Sequence, residues 1–156
     1  MKRNILRAAV AASIFGFSGA AFAESVDVPF SGTVANACSI TKTSDGVLAL
    51  DFPNHLAARL MSDGIPGVIE VTCAGAGTIS VDAPVATGTT TINGTTESFV
   101  MQNTNGAGPV KANSEGTTST HPAGTTSYGV SMSDYGGPDF TPGTYTYAVT
   151  VTITPN

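Results

Sequence analysis

The chain has 156 residues, two cysteines and no tryptophan, and its carboxylates outnumber its Lys and Arg side chains by eleven to six. This length suits one domain that can bury a real hydrophobic core. The acidic balance excludes nucleic acid and anionic lipid as partners, because binding to either depends on Lys and Arg neutralising phosphates.

Residues 1–23 have the pattern of a bacterial secretory signal peptide. Lys2, Arg3 and Arg7 precede an apolar run at 8–17, and Ala21-Phe22-Ala23 supplies the small residues that signal peptidase needs. A transmembrane helix needs about 20 apolar residues, and this run is shorter. No later segment approaches that length, so we expect no membrane insertion. An ordinary N-terminal helix is the alternative.

Cleavage after Ala23 predicts a protein that crosses the periplasm and then stays at the cell surface or outside the cell. The mature chain keeps three cations against eleven carboxylates, a net charge of −8. It also keeps both cysteines, Cys38 and Cys73, and in an oxidising compartment such a pair predicts a disulfide. Closing a loop of about 36 residues would stabilise the fold by roughly 4 kcal/mol. A metal site or a catalytic thiol would need further ligands or a partner His.

Alternation of apolar and polar residues predicts an all-β fold of roughly six or seven strands in a sandwich. The even positions from Val26 to Ile40 are mostly apolar, which indicates one bent strand or two consecutive strands. Because Pro29 lacks an amide hydrogen, this stretch should lie at a sheet edge or contain a bulge. Further strands are predicted at 47–52, 68–73, 78–81, 89–92, 98–101 and 128–132.

Two segments predict something other than a core strand. Residues 55–61 resemble two helical turns that cross over between strands and end at Gly64. Residues 103–126 are rich in Gly, Ser, Thr and Asn, which predicts a solvated loop, or alternatively an edge strand around Val110, Lys111 and Ala112.

The last predicted strand shows the clearest pattern. After a turn at 141–143, one face is apolar and the other is a row of threonines, which suits a half-buried strand. The apolar face comprises Tyr145, Tyr147, Val149, Val151 and Ile153.

The sequence lacks a convincing catalytic site, so we expect a protein that is not an enzyme and that uses no cofactor and no metal. His55 and His121 have no Gly-x-Ser-x-Gly nucleophile motif beside them. Asp134 and Asp139 could hold a weak calcium ion, but solvated turn residues are the simpler interpretation. Asn93-Gly94 is best interpreted as a hairpin turn.

Several segments resemble the spore coat protein U family, which includes the pilins of archaic chaperone–usher fimbriae. The resemblance lies in the alternation leading into Ala37-Cys38-Ser39-Ile40, in residues 47–52 and 68–73, and most closely in Thr141-Pro142-Gly143-Thr144-Tyr145 and the strand that follows. It covers about residues 26–84 and 140–155 and is poor between them.

The resemblance implies an immunoglobulin-like sandwich without its seventh strand. A periplasmic chaperone first supplies that strand, and the N-terminal extension of the next subunit then replaces it at an outer-membrane usher. The resemblance therefore divides the mature chain into a donor-strand segment at 24–34 and a sandwich domain at 35–156. The expected donor side chains are Val26, Val28 and Phe30, and the expected acceptor groove is lined by Tyr147, Val149, Val151 and Ile153.

The sequence thus predicts an exported subunit of a fimbria or coat whose partners are copies of itself, related pilins, the chaperone and the usher. The alternative is a freestanding secreted binding domain in which residues 24–34 fold back and complete their own sandwich. Only 14 residues precede Cys38 in the mature chain, which leaves little room for both a donor strand and the start of a first core strand.

Overall fold

The computed structural model describes residues 27–33, 35–59, 63–106 and 108–156. The expected signal peptide and Val26 lie outside these residues. The chain divides into two units, Met1–Thr33 and Val34–Asn156. The strands of the described residues all belong to the second unit: β1 (Cys38–Ser44), β2 (Ala49–Phe52), β3 (His55–Ala58), β4 (Gly67–Cys73), β5 (Gly77–Val81), β6 (Val85–Ala86), β7 (Thr95–Met101), β8 (Val110–Asn113), β9 (Ser119–His121), β10 (Gly124–Tyr135), β11 (Tyr147–Ala148) and β12 (Val151–Pro155).

The first sheet is organised around β10, its longest strand. β4 pairs with the first half of β10 and β3 with its end, both along one side, while β7 pairs along the other side. β1 lies beyond β4, β2 beyond β3, and β8 beyond β7. Every pairing in this sheet is antiparallel. Because β1 and β2 stand at the two ends of the strand order, they are edge strands in the described part of the chain.

The second sheet has the order β12-β5-β9, and the short pair β11 and β6 continues along the same two chain segments. The buried core joins side chains from both sheets: Ile69, Val71, Cys73, Ile79, Val81, Val100, Ala112 and Tyr128. Because the two sheets contribute to one core, the unit is an all-β, sandwich-like fold. The described residues include no helix that could span a membrane.

Most strands predicted from alternation are confirmed with shifted ends. The 68–73 prediction corresponds to β4, in which Ile69, Val71 and Cys73 are buried while Glu70 and Thr72 face solvent. Predictions at 78–81, 98–101 and 128–132 correspond to β5, β7 and β10, and the alternative edge strand near Val110 is β8. The 47–52 strand begins at Ala49, because Val47 forms only an isolated bridge to Ile65.

The helical interpretation of residues 55–61 is wrong where the structure describes them. Residues 55–58 form β3, which lies between β10 and β2 and is buried throughout. Leu and Ala have high helix propensity, but a position between two strands overrides it because each neighbour offers a ladder of hydrogen bonds.

Within the described residues, the strand predicted at 89–92 is absent and the one predicted over 26–40 is present only from Cys38 onward. Residues 89–92 contain only a turn and irregular chain, and residues 27–33 and 35–37 form no strand, so the first strand starts at Cys38 and continues to Ser44. The polar stretch also holds more structure than expected. It contains both β8 and β9, and His121 at the end of β9 is fully buried.

Candidate strand-acceptor edge

Strands β1 and β12 lie beside each other, and each pairs on one side only within the described chain. β1 pairs with β4, and β12 pairs with β5. The other side of each strand carries amide and carbonyl groups with no ladder partner, which is the template that an added strand uses. We call this pair of strands the β1/β12 edge.

The predicted disulfide is confirmed and lies at one end of the β1/β12 edge. The sulfur atoms of Cys38 and Cys73 are 2.03 Å apart, and the two residues are cross-strand partners in β1 and β4. Gly77, the first residue of β5, lies directly against this bond. A Cβ atom at Gly77 would stand 2.9 Å from Cys38 Sγ and 2.9 Å from Ile153 Cδ1, so glycine permits the disulfide and Ile153 to meet.

Asn36 ties the start of β1 to the last residue of the chain. Its amide nitrogen donates to the carbonyl oxygens of Ala76 and Asn156, at 2.7 Å each. Its amide oxygen accepts from the backbone N–H of Gly75 at 2.8 Å. These bonds fix β1 and the end of β12 together. This role of Asn36 was not predicted, although a polar residue in an otherwise apolar row of alternate positions was a usable signal.

Three of the four predicted groove residues form a half-buried row along the C-terminal segment. Val149, Val151 and Ile153 are half-buried and pack against the core, while Thr150, Thr152 and Thr154 between them are exposed. The predicted division of this segment into an apolar and a threonine face is therefore correct.

The predicted single C-terminal strand is interrupted. β11 pairs with β6 and β12 pairs with β5, and between them Asp82 N–H donates to Thr150 O at 3.0 Å. The facing segment contains Pro84, which has no amide hydrogen to donate. The ladder is therefore broken although the side-chain alternation continues.

Tyr147 differs from the other groove residues because a buried partner holds its hydroxyl. The hydroxyl donates to Asp134 Oδ2 at 2.7 Å. Burial, followed by the hydrogen bond and the charge of Asp134, raises the pKa of Tyr147 well above its ordinary value. Tyr147 is thus anchored inside the fold through its hydroxyl, a contact that Val149, Val151 and Ile153 cannot make.

Asp134 is fully buried in β10 and is not the solvated turn residue that the sequence predicts. Besides Tyr147, it accepts hydrogen bonds from the backbone N–H groups of Asn93 and Gly94, at 2.8 and 2.9 Å. Three donors compensate a carboxylate taken out of water. The Asn93-Gly94 segment is accordingly a loop held by Asp134, and the hairpin prediction is wrong. Asp139 is exposed.

The predicted donor segment is described only in part, at residues 27–33. All seven residues are exposed and outside any strand, and Val28 and Phe30 expose 63% and 93% of their surface. Large apolar side chains at alternate positions are rarely exposed to this extent on a monomeric globular protein.

No protein-family model matches the chain, and no curated protein matches it significantly. The fold and the geometry of the β1/β12 edge therefore carry the functional argument.

Proposed function

We propose that this protein is an exported structural subunit of a surface fimbria or coat and that its copies join by donor-strand exchange. The observation that carries the proposal is the β1/β12 edge, two neighbouring strands that each lack a partner on one side within the described chain. A strand added to the open side of either one would supply the missing ladder hydrogen bonds.

The side chains along the edge support the same proposal. Val149, Val151 and Ile153 contact the core but stay partly exposed, so an incoming apolar strand would bury them further. At about 25 cal/mol for each Å² of apolar surface removed from water, such burial favours association. The exposed Val28 and Phe30 have the two-residue spacing that fills successive positions on one face of a strand.

The occupant is a second copy of this chain or a related subunit, delivered by a periplasmic chaperone and an outer-membrane usher. The mature chain is acidic, so the apolar side chains and backbone hydrogen bonds supply the attraction between copies. Export is part of the proposal, because the Cys38–Cys73 disulfide persists in an oxidising compartment.

The test is electrophoresis of surface fractions from the native bacterium, without boiling and after boiling. Donor-strand exchange predicts a ladder of SDS-resistant oligomers that collapses to monomer on heating. Deleting residues 24–31 should abolish the ladder and leave a subunit that the chaperone still holds. A full-length mature protein that remains a stable monomer, and that simply unfolds when truncated, would instead establish the freestanding domain.

A further inference from the structure

An open cleft lies at the end of the first sheet that is opposite the disulfide. Gly124, at the start of β10, pairs with Cys73, whereas the cleft is built on Tyr135 at the other end of β10. β10 is 12 residues long and at about 3.3 Å per residue spans roughly 35–40 Å. The cleft is therefore remote from the β1/β12 edge.

Three segments of chain form this cleft, which has a volume of about 340 Å³. That volume is at the lower end of the roughly 300–1,000 Å³ of small-molecule sites, and it suits a ligand of one or two sugar rings. The lining residues come from the β2–β3 turn and β3, from β7, and from the end of β10: Asn54, His55, Arg59, Glu97, Tyr135 and Gly136.

Two aromatic residues, His55 and Tyr135, line the cleft. His55 stacks against Phe52, with ring centroids 6.1 Å apart and planes 9° from parallel, and Tyr135 meets the same imidazole edge-on at 5.8 Å. Tyr135 still exposes 36% of its surface, whereas Phe52 contacts His55 without being a lining residue of the cleft. Exposed aromatic faces carry partial negative charge, which attracts the weakly positive C–H bonds on one face of a sugar ring.

The hydrogen-bonding side chains that line the cleft are those of Glu97, Asn54 and Arg59, of which Glu97 and Arg59 are held by neighbours. Glu97 accepts from the Ser133 hydroxyl at 3.0 Å and from the Tyr135 hydroxyl at 3.4 Å, which orients its carboxylate. Arg59 lies 3.7 Å from the Asp51 carboxylate. Side chains held in this way are positioned before a ligand arrives.

The carboxylates around the cleft disfavour an anionic ligand. Glu97, with further contributions from burial and Glu115, raises the pKa of Tyr135, while Arg59 opposes the shift. An anion would meet these carboxylates on an acidic protein, and a cation would lie beside Arg59. A polyhydroxylated neutral molecule can use the donors and the acceptors together.

We propose that this cleft binds a neutral carbohydrate, with a sugar ring lying against Tyr135 and its hydroxyl groups bonded by Glu97, Asn54 and Arg59. This inference does not depend on assembly at the β1/β12 edge, and a freestanding domain would carry the same site.

The test is titration of the mature chain with glucose, galactose, mannose, N-acetylglucosamine and cellobiose, with choline and inorganic phosphate as charged comparators. Calorimetry and saturation-transfer NMR are the readouts. We expect saturable binding of at least one neutral sugar. Glu97→Gln and Tyr135→Ala should each weaken it by at least about tenfold, since one removes a charged acceptor and the other the aromatic face.

Two controls separate lost binding from lost folding. Glu70→Gln removes an exposed carboxylate on β4 and should leave the affinity unchanged, and Tyr135→Phe should retain more binding than Tyr135→Ala. The proposal is overturned if no neutral sugar binds up to its solubility limit. It is equally overturned if folded Glu97→Gln and Tyr135→Ala proteins both bind like the unchanged protein, or if only choline or phosphate binds.

Discussion

At the scale of single residues, the interior of the sandwich is fixed by polar pairs as well as by apolar contacts. His121 Nδ1 lies 2.8 Å from the Tyr128 hydroxyl, and its Nε2 donates to Gly124 O at 3.2 Å. Tyr147 and Asp134 form the second pair. Buried polar groups that find partners specify one packing arrangement, because any other leaves them unsatisfied.

The Tyr147–Asp134 bond gives a prediction for stability. Tyr147→Phe should lower the free energy of unfolding by about 1–3 kcal/mol at neutral pH, since it leaves a buried carboxylate with one donor fewer. Urea denaturation measures this. Tyr145→Phe is the matched control, because the Tyr145 hydroxyl bonds only at the exposed turn near Thr141. Equal losses in both variants would contradict the role given to Asp134.

The same residue adds a pH dependence. The pKa of Tyr147 is raised in the folded state, so its contribution to stability is complete below the unfolded value of about 10 and is lost as the pH rises toward the folded value. The unfolding free energy should therefore fall above about pH 10, and Tyr147→Phe should show a shallower decline.

Gly77 gives a second prediction at this scale. Gly77→Ala should destabilise the fold by about 1–3 kcal/mol, because its Cβ would press on both Cys38 Sγ and Ile153 Cδ1. Thermal unfolding measures the loss. Gly32→Ala is the control, since nothing lies within 4 Å of a Cβ there. If Gly77→Ala leaves the free energy of unfolding unchanged, the disulfide and Ile153 can move apart without loss of stability.

At the scale of elements, alternation predicts which face of a strand is apolar better than it predicts what the strand pairs with. The face assignment of the C-terminal segment is correct, but Pro84 in the facing chain splits it into β11 and β12. Residues 27–33 alternate equally well yet form no strand, because a strand also requires a neighbour to receive its hydrogen bonds.

Other elements depended on contacts that no local pattern contains. β3 has helix-forming residues and becomes a strand through its two neighbours. The buried His121 has Tyr128 as its hydrogen-bond partner. The buried Asp134 accepts hydrogen bonds from Tyr147, Asn93 and Gly94. The disulfide was predictable because only one pairing of two cysteines exists.

The two faces of β12 can be tested with a reciprocal pair of substitutions. Val151→Thr places a hydroxyl against the core and should lower the free energy of unfolding by about 1–2 kcal/mol. Thr152→Val on the exposed face should change it by less than about 0.5 kcal/mol. Urea denaturation of both variants is the measurement, and a reversed order of effects would mean that the face assignment is wrong.

At the scale of the whole molecule, the disulfide joins the edge strand β1 to the sheet and stands at one end of the β1/β12 edge. The double substitution Cys38→Ala and Cys73→Ala should lower the free energy of unfolding by about 2–5 kcal/mol. Guanidinium unfolding with and without a reducing agent measures this. The reductant should destabilise the unchanged protein and leave the double variant unaffected, and equal stability of the two proteins would contradict the prediction.

The central claim, that the β1/β12 edge accepts a strand from another copy, is tested most directly by peptide complementation. The mature protein lacking residues 24–31 is mixed with a synthetic peptide of residues 24–34, and binding is measured by calorimetry and by the shift in unfolding temperature. We predict saturable binding at one peptide per subunit and a higher unfolding temperature. A peptide with Val28→Asp and Phe30→Asp should do neither. If the intact peptide neither binds nor stabilises a folded, truncated subunit, the account of the β1/β12 edge is wrong.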